Sequence, residues 1–295
     1  MKLPFFKPKA AKNDFTKSML PQNRKEVFFD VVKLHWEELL SLGFILLLFS
    51  LPLLFSQIIQ DYMTSSILKA LSEAPTQEEI FTAYSNVAAT ENVRAFINIV
   101  LLLIYAVAFS GTVRVVRQYA WEQNVHVRTE FFKGVKQNIG QITLLAFIGG
   151  VIYALCVFAY NLATLSTGVI SWLLFIPIAI SLLVIFPIFC HTVTAICIYS
   201  NNMRQNLKIG FAVFAKTPFK TLLAIICCAV IYIPQCIPNF YCHVLGELFS
   251  ALLTPFAILG WLLFSFNQLD KFVNKNLFPS IIGKGTFANI RDNDE

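Results

Sequence analysis

From Gln137 to Met203 the chain runs for 67 residues without one Lys, Arg, Asp or Glu. A water-soluble domain cannot cover its surface with such a segment, because ionic side chains keep a globule's exterior hydrated. Hydrocarbon accepts it, provided that every backbone N–H and C=O bonds within its own helix. One span uses about 20 apolar residues, so the segment must fold back on itself. The rest of the chain agrees. Of its 295 residues 57% are apolar and 14% charged, against about 25% charged in soluble domains, and the mean hydropathy is +0.66. Disorder, collagen and coiled coil are excluded by the same composition. The expected class is an all-α polytopic membrane bundle.

Charge-free stretches, with a turn at Ser166-Thr167-Gly168, predict about six spans: Leu39–Ile59, Ala95–Val113, Ile139–Ala163, Val169–Ile198, Thr221–Gly246 and Leu248–Leu269. Glu247 divides the last two, and Pro177 and Pro187 leave the continuity of the fourth open. Residues 1–37, 114–137, 199–220 and 270–295 hold 21 of the 23 Lys and Arg. The opposite side keeps Lys69 and Arg94, with the acids Asp61, Glu73, Glu78, Glu79 and Glu91 in the loop 60–94. Basic loops stay on the cytoplasmic side, so both termini are expected there. The net charge of +6 then reads as contact with anionic headgroups rather than with nucleic acid. Residues 1–27 contain no continuous apolar region, which predicts no signal peptide. The chain divides into a basic segment 1–37 with an interfacial helix, a membrane domain 38–269 and a tail 270–295. Ile67, Leu68, Leu71, Ile80, Phe81 and Tyr84 predict short amphipathic helices across the outer surface, making the loop 60–94 a lid.

Three segments look alike. Phe28-Phe29-Asp30-Val31-Val32-Lys33, Phe131-Phe132-Lys133-Gly134-Val135-Lys136 and Phe211-Ala212-Val213-Phe214-Ala215-Lys216 each place a Lys five residues after a Phe, ahead of a span. As short interfacial helices they set aromatics at the acyl boundary and Lys among phosphates, giving three repeated amphipathic-helix-plus-hairpin units. The alternative is that any flank of a span favours Phe and Lys.

The second of these segments lies in a longer run, Trp121 to Gln141, in which a basic stretch with Arg128 leads to Phe131-Phe132, then Lys136 and Asn138-x-x-Gln141 at the start of a span. With Leu51-Pro52, and Phe186-Pro187 followed by Asn202 and Asn206, this resembles the YesL-like family of bacterial integral membrane proteins, over roughly residues 25–230. The resemblance implies a bacterial cell-membrane protein that serves carbohydrate uptake as an accessory or permease-like component, with a transporter or another membrane protein as partner. It marks Arg128, Phe131, Phe132, Lys136, Asn138 and Gln141 as inner-leaflet motif residues.

Chemistry within the spans is sparse. His191 is the one titratable group well inside a span apart from cysteines and tyrosines, with Thr192 and Thr194 as neighbouring hydroxyls and no Asp or Glu to orient it. An intramembrane ionisable group is a functional candidate. A base or metal ligand without companions is a weak one, and an interhelical hydrogen-bonding role is favoured. The alternative is an intramembrane enzyme using His191 and a nearby thiol, Cys190 or Cys197. The seven cysteines lack CxxC spacing, although Cys236 and Cys242 are close enough in sequence for a disulfide near the outer surface. No GxSxG, HExxH, P-loop or GxGxxG occurs, so no catalytic residue, cofactor or metal is assigned. Prolines free carbonyls and line cavities in transporters. Pro234-Gln235-Cys236-Ile237-Pro238-Asn239 is the best such stretch, and His191, Gln235 and Asn239 are the candidate cavity lining. A non-enzymatic component is the leading expectation, and an envelope scaffold without substrate is a third.

Overall fold

A computed structural model describes residues 21–71, 75–121, 125–236 and 240–286. The described chain is helical, and six of its helices are long and apolar enough to cross a membrane. The protein is a multi-pass membrane bundle. Helix α1 spans Arg24–Lys69, α2 Gln77–Ala120 and α3 Val127–Leu165. Helices α4 (Val169–Ile180) and α5 (Phe186–Ile198) form one span, joined by a π-turn at Ser181–Ile185. That turn lies between Pro177 and Pro187. Proline lacks an N–H and crowds the preceding turn, and a widened turn absorbs the mismatch without breaking the helix. Helix α6 (Met203–Lys216) precedes α7 (Pro218–Ala229), which continues as a tight 3-10 turn over Val230–Cys236. Helix α8 (Phe240–Leu269) is followed by a π-turn, the short α9 (Lys275–Leu277) and a final 3-10 turn at Pro279–Ile281.

Two boundaries differ from expectation. Residues 60–69 and 77–94 are not short surface helices forming a lid; they extend α1 and α2 without interruption. At 1.5 Å per residue, the 46 residues of α1 make about 69 Å, against about 30 Å of hydrocarbon. Polar seams hold the extension together. Ser56 donates to Asn98 (3.0 Å), Gln60 to Thr90 (3.0 Å), and Asn161 of α3 to Asn92 (3.0 Å). Gln57 accepts from Arg94 and donates to Asp61. Thr76 and Glu79 start α2 with a reciprocal capping box. Apolar spacing at 3.6 residues is the same for a helix on a surface and one prolonging a span, so periodicity alone could not separate them. The second difference lies at the fifth span, which ends at Cys236 rather than Gly246, while Glu247 falls inside α8. Pro234 ends the α-helical ladder, and no charge marks the place in sequence.

The three interfacial segments take different forms. Helix α1 has a non-helical residue at His35 (φ −129°, ψ 26°), which separates its first turns from the span. The second segment runs straight into α3, and the third is α6, cut from α7 at Thr217 before Pro218. In the first two copies the Phe pair meets edge to face, at 5.5 Å and 85° for Phe28–Phe29 and 5.7 Å and 89° for Phe131–Phe132. Phe29, Phe132 and Phe211 point outward, whereas Phe131 and Phe214 are buried. One inward and one outward aromatic per unit matches an interfacial helix that both packs and inserts.

The main core lies where α1, α2 and α8 meet, on Leu39, Leu42, Val113, Val116, Leu259 and Leu262. Gly43 permits a close approach of α1 to α8: a Cβ there would fall 2.8 Å from the Leu252 Cα. Gly43→Val is expected to cost about 1–3 kcal/mol by overpacking, read as a lower thermal midpoint in detergent. Helix α4 has no buried residue; its Val169, Ile170 and Trp172 face outward, as lipid permits. The segment 270–286 folds back onto the basic end: Asp270 pairs with Arg24 at 2.9 Å, Tyr199 donates to Asn274 at 2.5 Å, and Lys284 lies over Trp121.

Candidate functional site

The residues singled out from the sequence fall into separate places. His191 is completely buried where α5, α7 and α8 meet. Its Nδ1 is 2.9 Å from Ser265 Oγ and its Nε2 3.1 Å from Thr221 Oγ1, with the Trp261 ring at 4.9 Å. The neighbouring hydroxyls are not its partners. Thr192 donates to the Ile188 carbonyl and Thr194 to that of Cys190, as helix-borne hydroxyls commonly do. Both ring nitrogens are engaged by hydroxyls, and the Cys197 thiol accepts from Asn138 Nδ2 at 3.9 Å instead. The site ties three spans together through hydrogen bonds.

Gln235 lines a cavity of about 170 Å³ between α1, α2, α8 and the 3-10 turn. It donates to Ser250 Oγ at 2.5 Å, and Tyr232 bonds Thr254 at 3.3 Å. Leu47, Leu53, Leu54 and Leu248 supply apolar wall, and Ser50 and Glu247 add polar groups. His191 is not among the lining residues, so these two sequence candidates are not brought together. Asn239 lies outside the described residues, as does the side chain of Cys236, on which the expected Cys236–Cys242 bridge depends. Ligand pockets usually hold about 300–1,000 Å³.

The motif residues divide by facing. Arg128, Phe132 and Lys136 are exposed; Phe131 and Asn138 are buried. Gln141 donates to the Asn201 carbonyl at 2.8 Å and accepts from Asn206 at 2.8 Å. Asn138, Gln141 and Asn206 therefore fasten α3 to the α5–α6 junction, and Asn202 starts α6 with a capping box. Their role here is to set the helix arrangement at the basic end.

Sequence reading missed the most unusual group there. Arg117, counted only as one basic residue of a flank, is 9% exposed. It donates to the Cys197 carbonyl and to Gln118 Oε1, and its guanidinium lies 4.6 Å from the Trp121 ring. The available signal was Trp121 four residues after Arg117, a spacing that puts both on one helix face. Nearby, Arg114 and Lys133 share Glu130 at 2.9 and 2.7 Å. Glu130 precedes the uncharged stretch, and the Lys133 hydrogen bond, assisted by Arg114 against partial burial, holds its carboxyl below the ordinary 4.5. A carboxylate with a depressed folded pKa adds stability above its unfolded value and loses it as pH falls through the folded one. The thermal midpoint is therefore expected to drop as the pH is lowered below 4.5, and to drop less in Glu130→Gln, measured across a pH series.

Among the described residues no group of three His, Cys, Asp or Glu side chains is placed to hold a metal ion. Comparison of the chain with family models, with curated proteins and with solved structures finds no match.

Proposed function

We propose that the protein is a non-enzymatic accessory component of a carbohydrate-uptake system in the bacterial cell membrane, of the YesL-like kind, with both termini cytoplasmic. The observation that favours an accessory over a permease role is that the cavity beside Gln235 holds about 170 Å³, below the ordinary range for a small-molecule site. The engagement of both His191 ring nitrogens by Ser265 and Thr221 favours a structural role over acid-base chemistry. The arrangement of 21 of 23 basic residues on one side supports the orientation, and the outward Phe29, Phe132 and Phe211 suit the inner leaflet. The partner is another membrane protein, a transporter subunit.

Deleting the gene is expected to reduce uptake of a carbohydrate, and crosslinked affinity purification to recover a transporter subunit. The purified protein alone in liposomes should carry no sugar. Unchanged uptake with no subunit recovered would sink the proposal, and sugar entry into liposomes holding this protein alone would make it a permease.

A further inference from the structure

We propose that the basic end carries a specific site for a phosphate group, formed by Arg117, Trp121 and Lys284 and clasped by the segment 278–286. The first observation is that, among the described residues, no carboxylate is bonded to either cation. Arg117 is nine-tenths buried, and its Nε has no hydrogen-bond partner. Ion pairs among the described residues join Arg24 to Asp270, His35 to Glu38, and both Arg114 and Lys133 to Glu130. None reaches Arg117 or Lys284. Glu130 favours the charged guanidinium at a distance but is joined to it only through Gln118, which accepts from Arg117 and donates to the carboxylate. Removing a cation from water is costly unless an anion or several dipoles replace the solvent. The Cys197 carbonyl and Gln118 supply dipoles and no full negative charge.

The second observation is convergence. Arg117 Cζ stands 4.6 Å from the Trp121 ring centre and Lys284 Nζ 4.4 Å from the same centre. The two cations are thus no more than about 9 Å apart. A phosphate at the edge of the Trp121 ring, within reach of the mobile Lys284 ammonium and of the guanidinium, would accept charge-assisted bonds of about 2.8 Å from both. Lys284 is held in place by design of the strap rather than by chance: Arg24 donates to its carbonyl and pairs with Asp270, which also accepts from the Gly283 amide. Gly285 adopts φ +87° against the Ala120 carbonyl, a position without room for a Cβ. Arg24 and Gly285 are positioning residues; Arg117 and Lys284 are the ligands. Arginine offers a planar fork and lysine a mobile point charge, the pair that phosphate recognition commonly uses.

The phosphate belongs either to an anionic lipid headgroup of the adjoining leaflet or to a soluble anion. Both arms are tested with the full-length protein in neutral detergent, titrated with short-chain phosphatidylglycerol, short-chain phosphatidylcholine or inorganic phosphate, following tryptophan fluorescence. A saturable response to phosphatidylglycerol is expected, absent in Trp121→Phe and weakened about fivefold in Lys284→Gln, the loss of one basic contact. The exposed-lysine variant Lys208→Gln should bind as wild type. An equal response to inorganic phosphate assigns a soluble ligand to the same site. Because Arg117→Gln could fail to fold, Lys284→Gln decides. Equal losses in Lys284→Gln and Lys208→Gln, or a response that survives Trp121→Phe, would overturn the site.

Discussion

His191→Ala is expected to lower the stability of the folded bundle by about 3–5 kcal/mol, the range for truncating a buried ring. The imidazole is fully enclosed, lies 4.9 Å from Trp261 and 6.2 Å from Phe264, and bridges Ser265 and Thr221. Truncation removes ring contacts and both hydrogen bonds at once. It leaves a void that lipid cannot fill, because the site is interior. Stability in detergent and the amount of folded protein in the membrane both report it. The same variant separates the two readings of this residue. A structural histidine predicts that function falls only in proportion to folded protein. A catalytic one predicts normal folding with function abolished, and that result would revive the intramembrane-enzyme alternative.

Arg117→Ala is expected to cost about 2–4 kcal/mol. Its bond to the Cys197 carbonyl caps the end of α5 with a cation, where the helix dipole is negative. Losing a partner from a buried carbonyl costs about 1–3 kcal/mol, and a desolvated cation–π contact such as that with Trp121 adds up to about 2 kcal/mol. Arg117→Lys should recover part of this loss, since it keeps the charge and loses the fork. Reversible thermal unfolding of the two variants beside wild type gives the difference. Equal stability of all three would show that neither the cap nor the stack contributes.

These two residues also mark how far sequence reading reaches. His191 stood out because an ionisable group in a span is rare, yet Thr192 and Thr194 were its nearest hydroxyls in sequence and neither is its partner. Ser265, 74 positions away, and Thr221 are. Arg117 was hidden among basic residues that mostly face outward, since nothing in its flank distinguishes a buried guanidinium from a solvated one. Gln235 was singled out from two prolines and does line the cavity, because proline both ends the helical ladder and leaves polar groups without helical partners. The motif amides Asn138 and Gln141 read as an inner-leaflet signature; that they fasten α3 to Asn206 and to the Asn201 carbonyl is a fact of packing.

What the amino-acid order determined by itself was the class, the number of spans and the segregation of basic residues. The physical reason is local: a charge-free stretch in hydrocarbon has to close its own hydrogen bonds, and a helix does so with residues four apart. Only the tertiary structure decided that 60–69 and 77–94 prolong α1 and α2, that the fifth span stops at Cys236, and that Lys284 returns to Trp121. Each depends on partners distant in sequence, such as Asn161 with Asn92 or Arg117 with Cys197. Helical periodicity says which face is apolar, and it carries no information about which neighbour covers that face.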